Sequence, residues 1–171
     1  MQKIHRFRDD LKLGDLGEKE FMSTYGFTKS PTYDYDFHCK QGVRYELKTD
    51  SWLVGDYFDY KNKITNNFFI ERYIIQDDGA YKDGCIWTAY ENADILIYYF
   101  RNSQIFYVFD IKTLVPMVED MVLAKNIQLS KPIWNEGYYA VGYKINIKSL
   151  ESIYDFYVFG SDEFNKESKW L

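Results

Sequence analysis

YDYDFHCKQGVRYELKTD, residues 33–50, reads as two short strands joined by a tight turn. Alternation along a strand puts Asp34, Asp36 and His38 on one face of the first strand, with Tyr33, Tyr35 and Phe37 on the other. In the second strand Glu46, Lys48 and Asp50 share one face, and Tyr45, Leu47 and Thr49 the other. The turn is Lys40-Gln41-Gly42, a three-residue loop closing on a glycine suited to the left-handed region. That loop pairs Cys39 with Val43. Counting back sets Asp36 opposite Glu46 and Asp34 opposite Lys48. Directly opposed residues project to one face, about 5 Å apart at Cβ. Two facing carboxylates repel, so the pair asks for a cation. A slip of one residue would part them, so the reading rests on this register.

Working outward, a helix is expected over residues 15–25, with Asp15 as N-cap, Glu18 as its capping-box partner and Gly26 as the stop. Helical spacing groups Glu18 with Phe21, Met22 and Tyr25, an aromatic face on which a carboxylate needs a partner or a cation. The capping box alone would also account for Glu18. After the hairpin, residues 52–67 read as a polar, aromatic loop with room for a short helical turn. Residues 68–75, FFIERYII, form a third strand on which Glu71 reads as a surface residue, on a face that could join the site. A short helix or turn is expected over 84–92. Buried or half-buried strands follow over 93–100 and 104–110, then a helix over 111–126. The tail carries a strand over 138–147, a helical turn over 149–154 and a strand over 156–159. This order predicts an α/β (α+β) domain, helices packed on a central mixed sheet.

The chain has 171 residues, 46% hydrophobic and 27% charged, enough for one domain with a real core. Seventeen Tyr and thirteen Phe make it rich in aromatics, a composition that serves either a tyrosine-rich core and rim or base stacking. Its net charge of −5 does not point to nonspecific nucleic-acid binding, although basic groups can be local. Lys12, from a basic N-terminal stretch, and Lys61, Lys63 and Arg72 are candidates for such a role; the alternative is a solvated surface. No apolar run is long enough for a transmembrane helix and no apolar leader opens the chain, so a cytoplasmic protein with two free thiols, Cys39 and Cys85, is expected. The Cys and His spacing matches no zinc pattern. A phosphate-cradling glycine loop and a Gly-x-Ser-x-Gly elbow are both missing from the sequence.

Gly14-Asp15-Leu16-Gly17-Glu18 on the first helix, Asp36, and Glu46-Leu47-Lys48 on the following strand together resemble the PD-(D/E)xK nuclease superfamily. The later AYENADILIYYF stretch is similar to the helix and strand that follow in resolvase-like members. Tyr35 stands where the motif has its proline, a position often substituted in the superfamily. The resemblance covers residues 14–110 and leaves 111–171, a C-terminal helix and strands, without an assigned role in a single domain of 1–171. It implies a restriction-endonuclease-like core in αβββαβ order and hydrolysis of DNA phosphodiester bonds. A phage or recombination and repair endonuclease fits better than a sequence-specific restriction enzyme. If phage-encoded, the protein would act in the bacterial host cytoplasm, and a homodimer is a reasonable expectation.

The resemblance also assigns roles. Asp36, Glu46 and the Leu47 carbonyl would hold Mg²⁺ or Mn²⁺, with Glu18 binding directly or through water, since hard oxygen donors suit these ions. Lys48 would orient the attacking water or stabilise charge on the phosphate. Asp36 and Glu46 as solvated strand carboxylates, and Lys48 as a salt bridge to Asp34, are the plainer readings of the same residues. A catalytically inactive nucleic-acid or protein binding module on the same fold is the alternative function.

Overall fold

A computed structural model of the chain describes residues 7–160, except residues 33, 77, 136 and 137. Helix α1 (Phe7–Tyr25) is followed by strands β1 (Thr28–Lys29), β2 (Phe37–His38), β3 (Arg44–Asp50), β4 (Leu53–Val54), β5 (Ile64–Thr65), β6 (Asn67–Gln76) and β7 (Tyr81–Asp83). Then come α2 (Cys85–Tyr90), β8 (Ile95–Phe100), a 3₁₀ turn at Arg101–Ser103, β9 (Ile105–Asp110), α3 (Ile111–Leu123), β10 (Ile133–Asn135), β11 (Tyr138–Asn146), α4 (Ile147–Glu151) and β12 (Tyr157–Gly160). The expectation of mixed α and β structure around a mixed sheet is met.

A six-stranded sheet runs in the order β1-β2-β3-β8-β9-β12, with β3 and β8 parallel and the other pairs antiparallel. The β3–β8 register aligns Glu46 with Leu96, Lys48 with Tyr98 and Asp50 with Phe100. Paired residues share a face, and the sheet therefore has two distinct sides. On one side Tyr45, Ile97, Tyr99, Phe106 and Val108 form a core with Phe21 of α1, Phe27 and Phe37. On the other, Leu96, Tyr98, Phe100, Tyr107 and Phe109 pack with β6, β11, α2, α3 and α4 through Phe68, Tyr143, Ile86, Val118 and Leu150. Glu46, Lys48 and Asp50 face this second side, along the margin of its core.

Three expectations need correction. The helix does not start at Asp15, which is therefore not an N-cap; it already runs at Phe7, because RDDLKL holds no breaker. The third strand, β6, does not continue the sheet of β2 and β3. It lies in a second, four-stranded sheet ordered β10-β11-β6-β7, and among the described residues seven strands rather than three separate α1 from α2, so the expected αβββαβ order is kept neither along the chain nor within one sheet. The segment 52–67 is not simply a loop, because β4 and β5 form a small parallel ladder of their own. Residues from 111 onward also complete the molecule: β11 pairs with the whole of β6, and β12 edges the first sheet.

Two local features set the site's position. A Cβ on Gly17 would fall 2.1 Å from the Thr49 Oγ1, so glycine lets α1 lie directly on β3 and brings the neighbouring Glu18 to the strand's edge. Asp94, just before β8, accepts hydrogen bonds from the Arg44 backbone N–H (2.9 Å) and from its guanidinium (2.8 and 3.1 Å), locking the start of β3 to β8. Both cysteines are free thiols, and no helix among the described residues is long and apolar enough to cross a membrane.

Candidate functional site

The hairpin register is the expected one. Phe37 pairs with Tyr45 and His38 with Arg44, and the Cys39 N–H donates to the Val43 carbonyl at 3.1 Å; Asp36 lies just outside the ladder, so its direct pairing with Glu46 is not formed, although its side chain still reaches this end of β3. Gly42, at φ +83°, takes the left-handed position, and its N–H donates to the Cys39 carbonyl at 3.0 Å. The first strand is shorter than expected. Asp34 lies outside it and is exposed, and Tyr33 lies outside the described residues. The pairing of Asp34 with Lys48 is therefore not formed. The ladder ends at Asp36, whose N–H donates to the Tyr45 carbonyl (2.9 Å) and whose carbonyl accepts from the Ser30 N–H (2.8 Å).

Where the backbone ladder stops, the Asp36 side chain takes over. Its Oδ2 accepts from the Leu47 N–H at 2.8 Å. A strand residue carries its N–H and C=O on the same edge, so the Leu47 carbonyl belongs to this edge too, beyond the last β2 partner. Asp36, Glu46, Leu47 and Lys48 line one cavity of about 720 Å³, with Glu18 at its side and Asp50, Glu71, Cys85 and Tyr98 also in its wall. The hairpin, the first helix and the third strand thus converge on one space.

The carboxylates there are in electrostatic difficulty. Burial, followed by repulsion from Asp36, pushes Glu46 up to about 9; Lys48 relieves this only partly. Burial also pushes Asp36 up to about 6, against the help of the Leu47 N–H and with added repulsion from Glu18. As a pair they retain one proton through neutrality. Glu18 is answered by Lys29, which forms an ion pair with it. Residues of α1 and β1 therefore satisfy Glu18 on its own, without any capping box.

Lys48 has a different partner from the one expected. Its Nζ stands 3.9 Å from Glu71 Oε2, and Glu71 is only 7% exposed. Burial works against the Lys48 charge. The Glu71 carboxylate, with lesser help from Asp50, more than offsets it and raises Lys48 above its ordinary value. Glu71 is thus not a surface residue. It lies on the same face of β6 as Asn67 and Phe69, which also line the cavity, and β6 bulges just beyond it at Arg72, where the β6–β11 register shifts between Val141 and Gly142. The close approach of α2 supports the bulge: the Gly84 N–H donates to the Arg72 carbonyl at 2.8 Å, and a Cβ on Gly84 would meet the Glu71 carbonyl oxygen at 1.9 Å.

Asp50 and Tyr98 close the inner end. The Tyr98 hydroxyl donates to Asp50 Oδ2 at 3.1 Å and accepts from the Phe69 N–H at 3.3 Å, and burial raises its pKa well above the usual range. Burial also pushes the Cys85 thiol up to about 12, so it sits in this wall as a neutral thiol. Sequence reasoning passed over Tyr98 and read Glu71 as a surface residue, on a face that could join the site. The signal for Glu71 was a lone carboxylate inside an otherwise apolar and aromatic strand.

The candidate basic residues separate. Lys12 is exposed on α1, one residue before Leu13 and Gly14, which line the cavity. Lys61 and Lys63 are exposed in the turn between Tyr60 and Ile64. Arg72 is not brought to the cavity. It pairs with Asp83 and lies 4.3 and 4.8 Å from the Tyr73 and Trp87 ring centroids.

Among the described residues no three of His, Cys, Asp and Glu converge as a ready metal cage. The donors that do come together are two carboxylates and a backbone carbonyl, all hard oxygens. With one proton to lose and only partial relief from Lys48 and Lys29, they suit a small hard divalent ion completed by water. No protein-family model matches this chain, and no curated protein matches it.

Proposed function

We propose that this protein is a divalent-metal-dependent nuclease that hydrolyses DNA phosphodiester bonds, on a core of the PD-(D/E)xK kind. The observation that carries the reading is the pair of Asp36 and Glu46 in one cavity beside the Leu47 backbone, both raised by burial first, Glu46 then by repulsion from Asp36 and Asp36 by repulsion from Glu18. Asp36, Glu46 and the Leu47 carbonyl would hold Mg²⁺ or Mn²⁺, and Glu18 would contribute after release from Lys29. The ion, when bound, would lower the pKa of a water and neutralise charge on the phosphate.

The chain's own residues do the rest. Asp36 is held to the Leu47 N–H, which fixes one carboxylate oxygen and leaves the other for ligation. Loss of the proton shared with Glu46 readies the second ligand. Lys48, kept cationic by Glu71, stands two residues from Glu46 on the same face of β3, where it can orient a water or meet developing negative charge at phosphorus. Glu71 is a positioning residue in this scheme.

The test is digestion of plasmid and branched DNA in Mg²⁺ by wild type, Asp36→Ala and Lys48→Ala. Cleavage by wild type and loss in both variants is expected. Cleavage unaffected by either substitution would overturn the site, and binding without cleavage in both Mg²⁺ and Mn²⁺ would overturn the enzymatic reading.

A further inference from the structure

On the wall of the cavity two exposed aromatic rings, Phe58 and Tyr60, gather on the half-buried Trp52. Trp52 and Phe58 stack with centroids 5.4 Å apart and planes at 20°, and Tyr60 lies 5.8 Å from Trp52. Phe58 is 50% exposed and Tyr60 61%. All three line the cavity that holds Glu46 and Lys48. Rings this exposed contribute little to a core, yet the backbone beneath them is firmly built. The Leu53 N–H donates to the Lys63 carbonyl (2.8 Å) and the Gly55 N–H to the Thr65 carbonyl (2.9 Å), while Asp59 and Ile64 exchange backbone bonds of 2.8 and 2.9 Å. The Asp59 carboxylate accepts from the Lys61 and Asn62 N–H groups at 2.9 and 3.2 Å, fixing the turn that begins at Asp59 and carries Tyr60. The Val54 N–H donates to Ser103 Oγ at 2.7 Å, tying the unit to the end of β8.

Cations border these rings in a molecule of net negative charge. Lys144 Nζ lies 5.5 Å from the Phe58 ring centroid and lines the cavity, and Lys61 and Lys63 are exposed in the turn itself. Elsewhere in the cavity wall Trp134, 40% exposed, packs on Tyr139 with centroids 4.7 Å apart. Fixed ring faces suit planar apolar groups, and flanking ammonium groups suit a chain of negative charges. A nucleic-acid strand with unstacked bases has both in one ligand. A duplex buries its base faces within its own stack and offers nothing to the rings.

We propose that Trp52, Phe58 and Tyr60, with Lys144, form a stacking platform for the bases of an unpaired strand, so that the preferred substrate is single-stranded nucleic acid or the unpaired part of a branched one. The cutting of a bound strand rests on the hydrolytic reading above, whereas the binding itself stands on the rings and cations. Base faces are common to all sequences and to DNA and RNA, so the platform is tolerant of sequence.

The experiment measures fluorescence anisotropy of labelled oligo-dT, oligo-U and a blunt duplex of equal length, in EDTA so that nothing is cut. Wild type is compared with Phe58→Leu, which keeps apolar bulk and removes the ring face, and with Phe58→Trp, which restores one; circular dichroism melts verify that each is folded. Both single strands are expected to bind at least about ten-fold tighter than duplex, with Phe58→Leu weaker by roughly 5- to 100-fold and Phe58→Trp close to wild type. Duplex binding equal to single-strand binding, or a folded Phe58→Leu that binds like wild type, overturns the platform. If Phe58→Leu binds like wild type while Asp36→Ala abolishes cleavage in Mg²⁺, the platform falls and the hydrolytic reading stands. If single-strand binding depends on Phe58 but no cleavage occurs, the hydrolytic reading falls and the platform stands.

Discussion

Glu46→Gln separates the charge conflict in the cavity from its shape, because the amide is nearly isosteric and has no proton to lose. In the folded chain Glu46 holds its proton to about 9, against an ordinary 4.5. Between those values the native state binds more protons than the unfolded one, so stability falls as pH rises. The contribution is fully present below the unfolded value and lost as pH climbs through the folded one. Each pH unit across that window is worth about 1.4 kcal/mol if Glu46 lags completely. Water in the open cavity screens this, leaving roughly 2 kcal/mol between about pH 5 and about pH 8. Urea unfolding in EDTA at those two pH values is the assay. Relative to wild type, Glu46→Gln should be neutral at the lower pH and more stable by about 2 kcal/mol at the higher. Adding Mg²⁺ at the higher pH should stabilise wild type, by about 2.7 kcal/mol at a hundred times its Kd, and stabilise the variant far less. A wild-type minus variant difference that is flat with pH would refute the reasoning. So would an equal Mg²⁺ effect on both proteins.

Three further outcomes are expected. Glu71→Ala should lose about 2–3 kcal/mol in urea unfolding, because it strands the Lys48 charge, and the Lys48→Met/Glu71→Leu double variant should recover most of that; additive losses would mean the two do not interact. Gly84→Ala should cost about 2–3 kcal/mol, since its Cβ would lie 1.9 Å from the Glu71 carbonyl oxygen and the bulge or α2 must shift; an unchanged thermal midpoint would count against that contact. Arg44→Ala should cost about 1 kcal/mol at neutral pH, because the pair with Asp94 is more than a third exposed. The Arg44 hydrogen bond lowers the Asp94 pKa, so the cost should fade as acid protonates Asp94, and a cost that persists in acid would argue that packing, not charge, is lost.

The hairpin was legible because its information is local. Three loop residues with Gly42 at the end permit one register, and that register sets Phe37 on Tyr45 and carries the Asp36 side chain to the Leu47 N–H. Alternation on β3 likewise assigned its two faces, and the unbroken apolar run of β8 marked a buried strand. What stayed hidden depends on partners distant in sequence. FFIERYII reveals a strand but not that its neighbour is β11, some seventy residues later. The face that Glu71 shares with Asn67 and Phe69 turns to the cavity only through the packing of β6 beside β3 and β8, which no local pattern shows, and so Glu71 read as a surface residue. The two-residue strands β4 and β5 are too short for any period to show. Lys48 was matched to Asp34 by extending a ladder that ends at Asp36, where a side chain replaces the backbone.

Strand β3 interleaves two kinds of demand. Tyr45, Leu47 and Thr49 are answerable to α1 and the aromatic core, whereas Glu46, Lys48 and Asp50 are answerable to the cavity. Every second position can therefore change without disturbing packing on the other side. A lineage carrying this strand could trade one set of polar groups for another, or abandon chemistry, at small cost to folding. Inserting or deleting one residue offers no such freedom, since it would exchange the two sets at a stroke. Point substitution and indels should thus meet opposite fates here: the first revises what the molecule does, and the second decides whether there is a molecule at all.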